Sequence, residues 1–163
     1  MKSIFIYFSL ESNTDYVAQK MKQFADCDLL RIEVVKPYPK KGFMMYWHSG
    51  KDVMTHAEPD IKPYKFDASK YDLIIFGTPV WARDFAPPLK KFIRQNNDGL
   101  KGKRFAVYTG YRGAGFEQTA AKLAEFIGIK GFEKQLQLVD PGKKQSEEKN
   151  KKIFEFCKSL GIC

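Results

Sequence analysis

Residues 71–82, YDLIIFGTPVWA, decide the fold. The run Tyr71 to Phe76 is nearly all apolar, as a strand buried on both faces must be, and Gly77-Thr78-Pro79 ends it with turn residues. Such a strand belongs in the middle of a parallel sheet. Its parallel neighbours must be reached by crossovers, so helices are required on either side of it in the chain.

Downstream, Pro87 and Pro88 suit the first turn of a helix that runs through Leu89, Phe92 and Ile93 and ends near Asn97. Lys103 to Tyr108 is a strand entering a glycine-bearing loop, Thr109 to Gly115, followed by a helix marked by Phe116, Ala120, Leu123, Ala124 and Ile127. Gly131 to Val139 supplies another strand, Asp140-Pro141-Gly142 a turn, and Ile153, Phe154, Cys157 and Leu160 one face of a last helix. Upstream, Lys2 to Phe8 is a strand that stops at SLESN, and Tyr16, Val17, Met21 and Phe24 recur at helical spacing after Thr14. Leu29 to Val35 reads as the second strand. Prolines 37, 39, 59 and 63 preclude one long helix across Lys36 to Tyr64, leaving room for a shorter one. Five strands alternating with helices imply an α/β, doubly wound, parallel sheet, whose ligands sit beyond the carboxyl ends of the strands.

With 163 residues, 44% of them hydrophobic and 15% aromatic, the chain suits one domain over residues 1–163 and has the apolar content of a globular core. The short apolar run after Lys2 breaks too early for a signal peptide or membrane span, so a cytoplasmic protein is expected. Cys27, Cys157 and Cys163 form no CxxC pair and no disulfide framework. The formal charge of +9 favours anionic partners. Its lysines and arginines are spread along the chain, which argues against a nucleic-acid site. His48 and His56 have no metal-ligand spacing, and no metal is assigned. Phe43, Tyr46 and Trp47 suit packing over the sheet, or one wall of an acceptor pocket.

Three loops at the carboxyl ends carry chemistry. Ser9-Leu10-Glu11-Ser12-Asn13-Thr14 leads from a strand into a helix start, where unsatisfied amides bind anions, although plain capping by Ser12 or Asn13 accounts for the same residues. It lacks the GxxxxGK[ST] pattern of a nucleoside triphosphate loop, and Gly110, Gly113 and Gly115 do not make GxGxxG. Thr78 to Pro87 places Trp81 at the end of the central strand, where an indole offers a flat ring a partner or serves the core. Thr109 to Gly115 has glycines where backbone can approach a planar ligand.

The strand followed by S-x-x-S-N-T, the stretch IIFGTPVW, and the strand with its glycine-rich loop together resemble the flavodoxin-like family over nearly the whole chain. Pro37-Tyr38-Pro39 is also similar to short bacterial members. The resemblance implies strand order 2-1-3-4-5 with FMN at the switch point, the arrangement for which flavodoxin itself is the reference case. It implies that Ser9, Glu11, Ser12, Asn13 and Thr14 surround the FMN phosphate. By the same likeness, Pro79, Val80, Trp81 and Ala82 border the isoalloxazine, Thr109, Gly110, Tyr111, Gly113 and Gly115 contact its pyrimidine side, and Thr78 and Arg112 belong to the same cofactor-binding set. Members usually carry a small or hydroxyl residue and then glycine where this chain has Glu11 and Ser12. The Glu11 side chain is therefore expected to turn away from the phosphate.

The function implied is an FMN-dependent redox protein, passing electrons to a protein partner or reducing a small acceptor such as a quinone. Its basic charge points to an acidic redox protein or small anionic acceptor, and to a less negative potential for the reduced flavin, with Arg112 the leading contributor. Arg112 and Arg83 also read, more simply, as solvated loop arginines. The replaced residues Glu11 and Ser12 keep a second reading in view, a flavodoxin-fold binding module without cofactor.

Overall fold

The computed structural model describes residues 1–39, 51, 55, 58–111 and 113–163. Strands β1 (Ser3–Tyr7), β2 (Cys27–Arg31), β3 (Leu73–Pro79), β4 (Arg104–Tyr111) and β5 (Lys134–Val139) form one sheet in the order β2-β1-β3-β4-β5. Every pairing is parallel. Among the described residues the α-helices are α1 (Asn13–Phe24), α2 (Pro87–Leu100), α3 (Phe116–Ile127) and α4 (Glu147–Leu160). None is long and apolar enough to cross a membrane.

Alternation along the strands divides the core in two. Ile4, Ile6, Ile74, Phe76, Phe105 and Val107 face α2 and α3, where Leu89, Phe92, Ile93, Ala120 and Leu123 close over them. Phe5, Tyr7, Leu73, Ile75, Ala106 and Tyr108 face α1 and α4, meeting Val17, Met21, Ile153, Phe156, Cys157 and Leu160. Both faces of β1, β3 and β4 are thus buried over most of their length, which is why their central residues, such as IFI, LIIF and FAV, are apolar without a break.

Several boundaries differ from the sequence reading. The second strand is Cys27–Arg31, not Leu29 to Val35, because Ser3 to Tyr7 of β1 pair in register with Cys27 to Arg31. Beyond them Val34 makes an antiparallel bridge to Ile61 instead. Helix α2 continues past Asn97 to Leu100, whose side chain is buried, and β5 begins at Lys134 rather than Gly131. On α4, Phe156 takes the buried place expected of Phe154, which is 39% exposed and packs edge-on to Phe24. Thr78, Pro79 and Thr109 to Tyr111 are the last residues of β3 and β4, so these strands reach further into the expected loops. The short helix expected within residues 36–64 lies largely outside the described residues, as do Phe43, Tyr46, Trp47, His48 and His56; Thr55 N–H donates to Lys51 C=O at 2.9 Å.

Candidate functional site

The order reverses beside β1, so the segments leaving β1 and its neighbour β3 diverge toward opposite faces and open a crevice at the carboxyl edge. Register brings the expected residues to that edge: Tyr7 pairs with Gly77, Thr78 with Thr109, and Pro79 with Gly110.

The first loop is bent by Ser12, which stands just before α1 at φ 97° and ψ −14°. A side chain resists that left-handed backbone, at a cost of order ~1–3 kcal/mol. Ser12 makes no side-chain cap bond, so the plain capping reading fails for it. Its carbonyl accepts the Tyr16 N–H at 2.8 Å, and Ser9 Oγ accepts the Asp15 N–H at 3.3 Å. The amides of Asn13 and Thr14, in the first turn, have no carbonyl within the helix to reach.

Other side chains lead away from those amides. Asn13 Nδ2 donates to Asp140 Oδ1 at 3.1 Å, and Asn13 Oδ1 accepts the Gly142 N–H at 2.9 Å. Gly142 lets the two segments approach closely, since a Cβ there would lie 3.0 Å from both Ser12 O and Asn13 Oδ1. Glu11 is drawn to Lys143, 3.1 Å away, in the connection between β5 and α4. Arg31 braces the loop from the other side, with Nη2 donating to Ser9 C=O at 3.4 Å and Nη1 3.0 Å from Asp15. Burial, and then the Asp15 carboxylate, push the Tyr7 hydroxyl below this loop up to about 12, so it stays protonated at neutral pH.

The second loop contains a tight turn. Trp81 and Asp84 exchange two backbone hydrogen bonds of 2.9 Å, and Ala82 and Arg83 between them have φ of 50° and 61°. Two left-handed central residues make the type I′ geometry, normally taken by asparagine and glycine. For alanine and arginine the cost is roughly 1–2 kcal/mol each. Thr78 is fully buried: its hydroxyl donates to Pro79 C=O at 2.8 Å and accepts the Ala86 N–H at 2.9 Å, a structural use. Trp81 is 9% exposed and packs edge-on to Phe8 and Tyr38, with ring centroids 5.5 and 5.2 Å away. Phe8 directly follows β1, so the first and second loops meet at this aromatic triangle. Beside it, between the first loop and the end of β2, lies a cavity of about 140 Å³ lined by Phe8, Ser9, Leu10, Arg31 and Tyr38 among others.

The third loop is stitched to the second by the Val80 N–H donating to Gly110 C=O at 2.9 Å. Gly115, at φ 105°, lies under the turn, where a Cβ would be 2.9 Å from Arg83 Cγ and 3.3 Å from its Cα. Gly113 faces open space, and Tyr111 lies against Phe116 with centroids 5.3 Å apart. Arg112 lies outside the described residues. The Tyr108 hydroxyl is buried against Gly110 without a hydrogen-bond partner among the described residues. The structure thus joins the three segments named from the sequence. It adds Phe8, Tyr38, Asp84, Asp140 and Lys143, of which Tyr38 was marked by the Pro-Tyr-Pro motif and Asp140 by the Asp-Pro-Gly turn.

No curated protein matches the chain. Among solved structures, a flavoprotein from Lactobacillus acidophilus in complex with FMN is similar at TM-score 0.72 and 19% identity, over 87% of this chain and 95% of that one. A protein from Bacteroides eggerthii assigned as a flavoprotein has TM-score 0.77 and 20% identity, over 99% of both chains. A flavodoxin from the domain Archaea has TM-score 0.61 and 14% identity, over 99% of this chain and 96% of that one. At such identities the likeness is one of fold. The profile of the flavodoxin domain matches residues 49–141, more than half of the sequence, and the chain belongs to the flavodoxin domain family.

Proposed function

We propose that this chain, as one domain over residues 1–163, binds FMN and carries electrons to an acidic redox protein or a small acceptor such as a quinone. The observation that carries the reading is the left-handed Ser12 at the start of α1, beside first-turn amides that lack helical acceptors, while the Asn13 and Glu11 side chains are tied elsewhere. That donor set suits a phosphate: main-chain N–H groups at the positive end of a helix dipole, with hydroxyls at Ser9, Ser12 and Thr14. No lysine in the loop is needed.

Pro79, Val80, Trp81 and Ala82 would border the ring, and Gly110, Tyr111, Gly113 and Gly115 would meet its polar edge through the main chain. The likeness to a flavoprotein seen with FMN supports the assignment. FMN supplies the redox chemistry, and the protein sets its orientation and potential. The net charge of +9 favours the reduced, more negative cofactor and an acidic partner. Stopped-flow mixing with NADH and NADPH separates the two roles. Rapid direct reduction identifies a reductase, whereas reduction only through a partner protein, slowed by added salt, identifies a carrier.

One observation favours the cofactor-free binding module: Trp81 is already packed against Phe8 and Tyr38. A protein that purifies colourless and takes up no added FMN would establish that alternative.

A further inference from the structure

The type I′ turn at Ala82 and Arg83 opposes the preference of both residues, and such backbone persists only where its surroundings impose it. Asp84 supplies the constraint. One carboxylate oxygen accepts the Phe85 N–H at 2.7 Å, and the other lies 3.0 Å from Lys90 Nζ and 4.0 Å from Lys122 Nζ. The Asp84 and Lys90 side chains are only 8% and 10% exposed, and the Lys90 ammonium also sits 4.9 Å from the centroid of the Phe85 ring. Lys90 belongs to the first turns of α2, so a helix anchored on the sheet holds one end of the turn. At the other end stands Trp81, bonded to Asp84 through both main-chain groups.

A buried ion pair is a poor choice where stability alone is needed, because a well-packed apolar pair serves as well or better. Its directional bonds do something an apolar pair cannot, which is to fix the orientation of the Asp84 main chain and, through the turn, that of Trp81.

We propose that the Asp84–Lys90 pair is a positioning device that, through the Ala82–Arg83 turn, sets the Trp81 indole against the flavin ring, and so governs affinity for the isoalloxazine rather than for the phosphate. The proposal rests on the FMN reading of the site. Asp84 and Lys90 act through Trp81 and touch no cofactor themselves.

The test uses the full chain carrying Trp47→Phe, which leaves Trp81 as the sole tryptophan. FMN and riboflavin are titrated into this protein, into Lys90→Met and Asp84→Asn, and into each of those combined with Trp81→Ala. Each single variant is expected to weaken both ligands by the same factor, about tenfold, leaving the FMN-to-riboflavin ratio unchanged. Once Trp81 is alanine, removing the pair should have no further effect. In the ligand-free variants the Trp81 emission should move to the red. Effects that multiply with Trp81→Ala, a changed ratio, or an unmoved emission spectrum would overturn the proposal. If Lys90→Met does not fold, Lys90→Arg, which keeps the charge and alters the reach, carries the same comparison. Should the unsubstituted chain bind neither flavin, the FMN reading fails by itself, and the emission shift alone then decides whether the pair positions Trp81.

Discussion

Lys143 Nζ lies 3.1 Å from Glu11 Oε2, so a carboxylate in the loop that would hold a phosphate is answered by a cation from the far end of the chain. If Lys143 offsets Glu11, Lys143→Ala leaves a negative charge beside the phosphate. FMN affinity then falls about two- to fivefold, as suits a half-exposed pair, while riboflavin, lacking the phosphate, is unaffected. Glu11→Ala should raise FMN affinity by a similar factor. Paired fluorescence titrations with the two flavins at low and moderate salt measure both effects.

Ser12 holds φ 97°, a conformation that glycine takes without strain. Ser12→Gly should therefore stabilise the protein by about 1 kcal/mol, read as a rise in the urea midpoint, and leave FMN affinity equal or tighter. Ser12→Val should do the reverse.

Gly115 combines φ 105° with the backbone of Arg83 within 3.3 Å of where a Cβ would lie. Gly115→Ala should cost about 1–3 kcal/mol and part the second loop from the third. Weakened binding of FMN and riboflavin alike, with far-UV circular dichroism unchanged, is the expected signature.

Burial pushes the Cys27 thiol up to about 11 and the Cys157 thiol up to about 12. In the unfolded chain both ionise near their ordinary ~8.5, so as pH rises the unfolded state loses protons first. Their contribution is whole below about pH 8.5 and is lost as pH climbs through 11 and 12, on the order of 3–5 kcal/mol per thiol at the upper end. Urea midpoints should fall between pH 8 and 11, and Cys27→Val should flatten the slope. At pH 8 a thiol reagent should titrate one group in the native protein, the exposed Cys163, and three in denaturant.

Burial made the architecture readable from sequence. Strands covered on both faces, such as LIIF of β3, have no solvent side to carry polar residues, and the helices announce themselves by apolar spacing. Register was harder. Ile32 and Val34 are as apolar as Leu29 and Leu30, and only pairing with Ser3 to Tyr7 shows that β2 begins at Cys27. The segments that meet at the carboxyl edge were legible where a residue type stands out, as with Trp81 and the glycines after β4. It was illegible where partners are remote or atypical. Asn13 and Asp140 meet across 127 residues. Ala82 and Arg83 give no hint of a type I′ turn. Lys90 looks like any helix-surface lysine until its burial against Asp84 is seen.

The central claim, that this crevice holds FMN, is tested most directly by the absorption spectrum of the purified protein before and after adding FMN. The account predicts flavin bands, either at once or on reconstitution, with uptake saturating at one FMN per chain and quenching of flavin fluorescence. A colourless protein that retains no FMN after desalting, and leaves the fluorescence of added flavin unchanged, would contradict it.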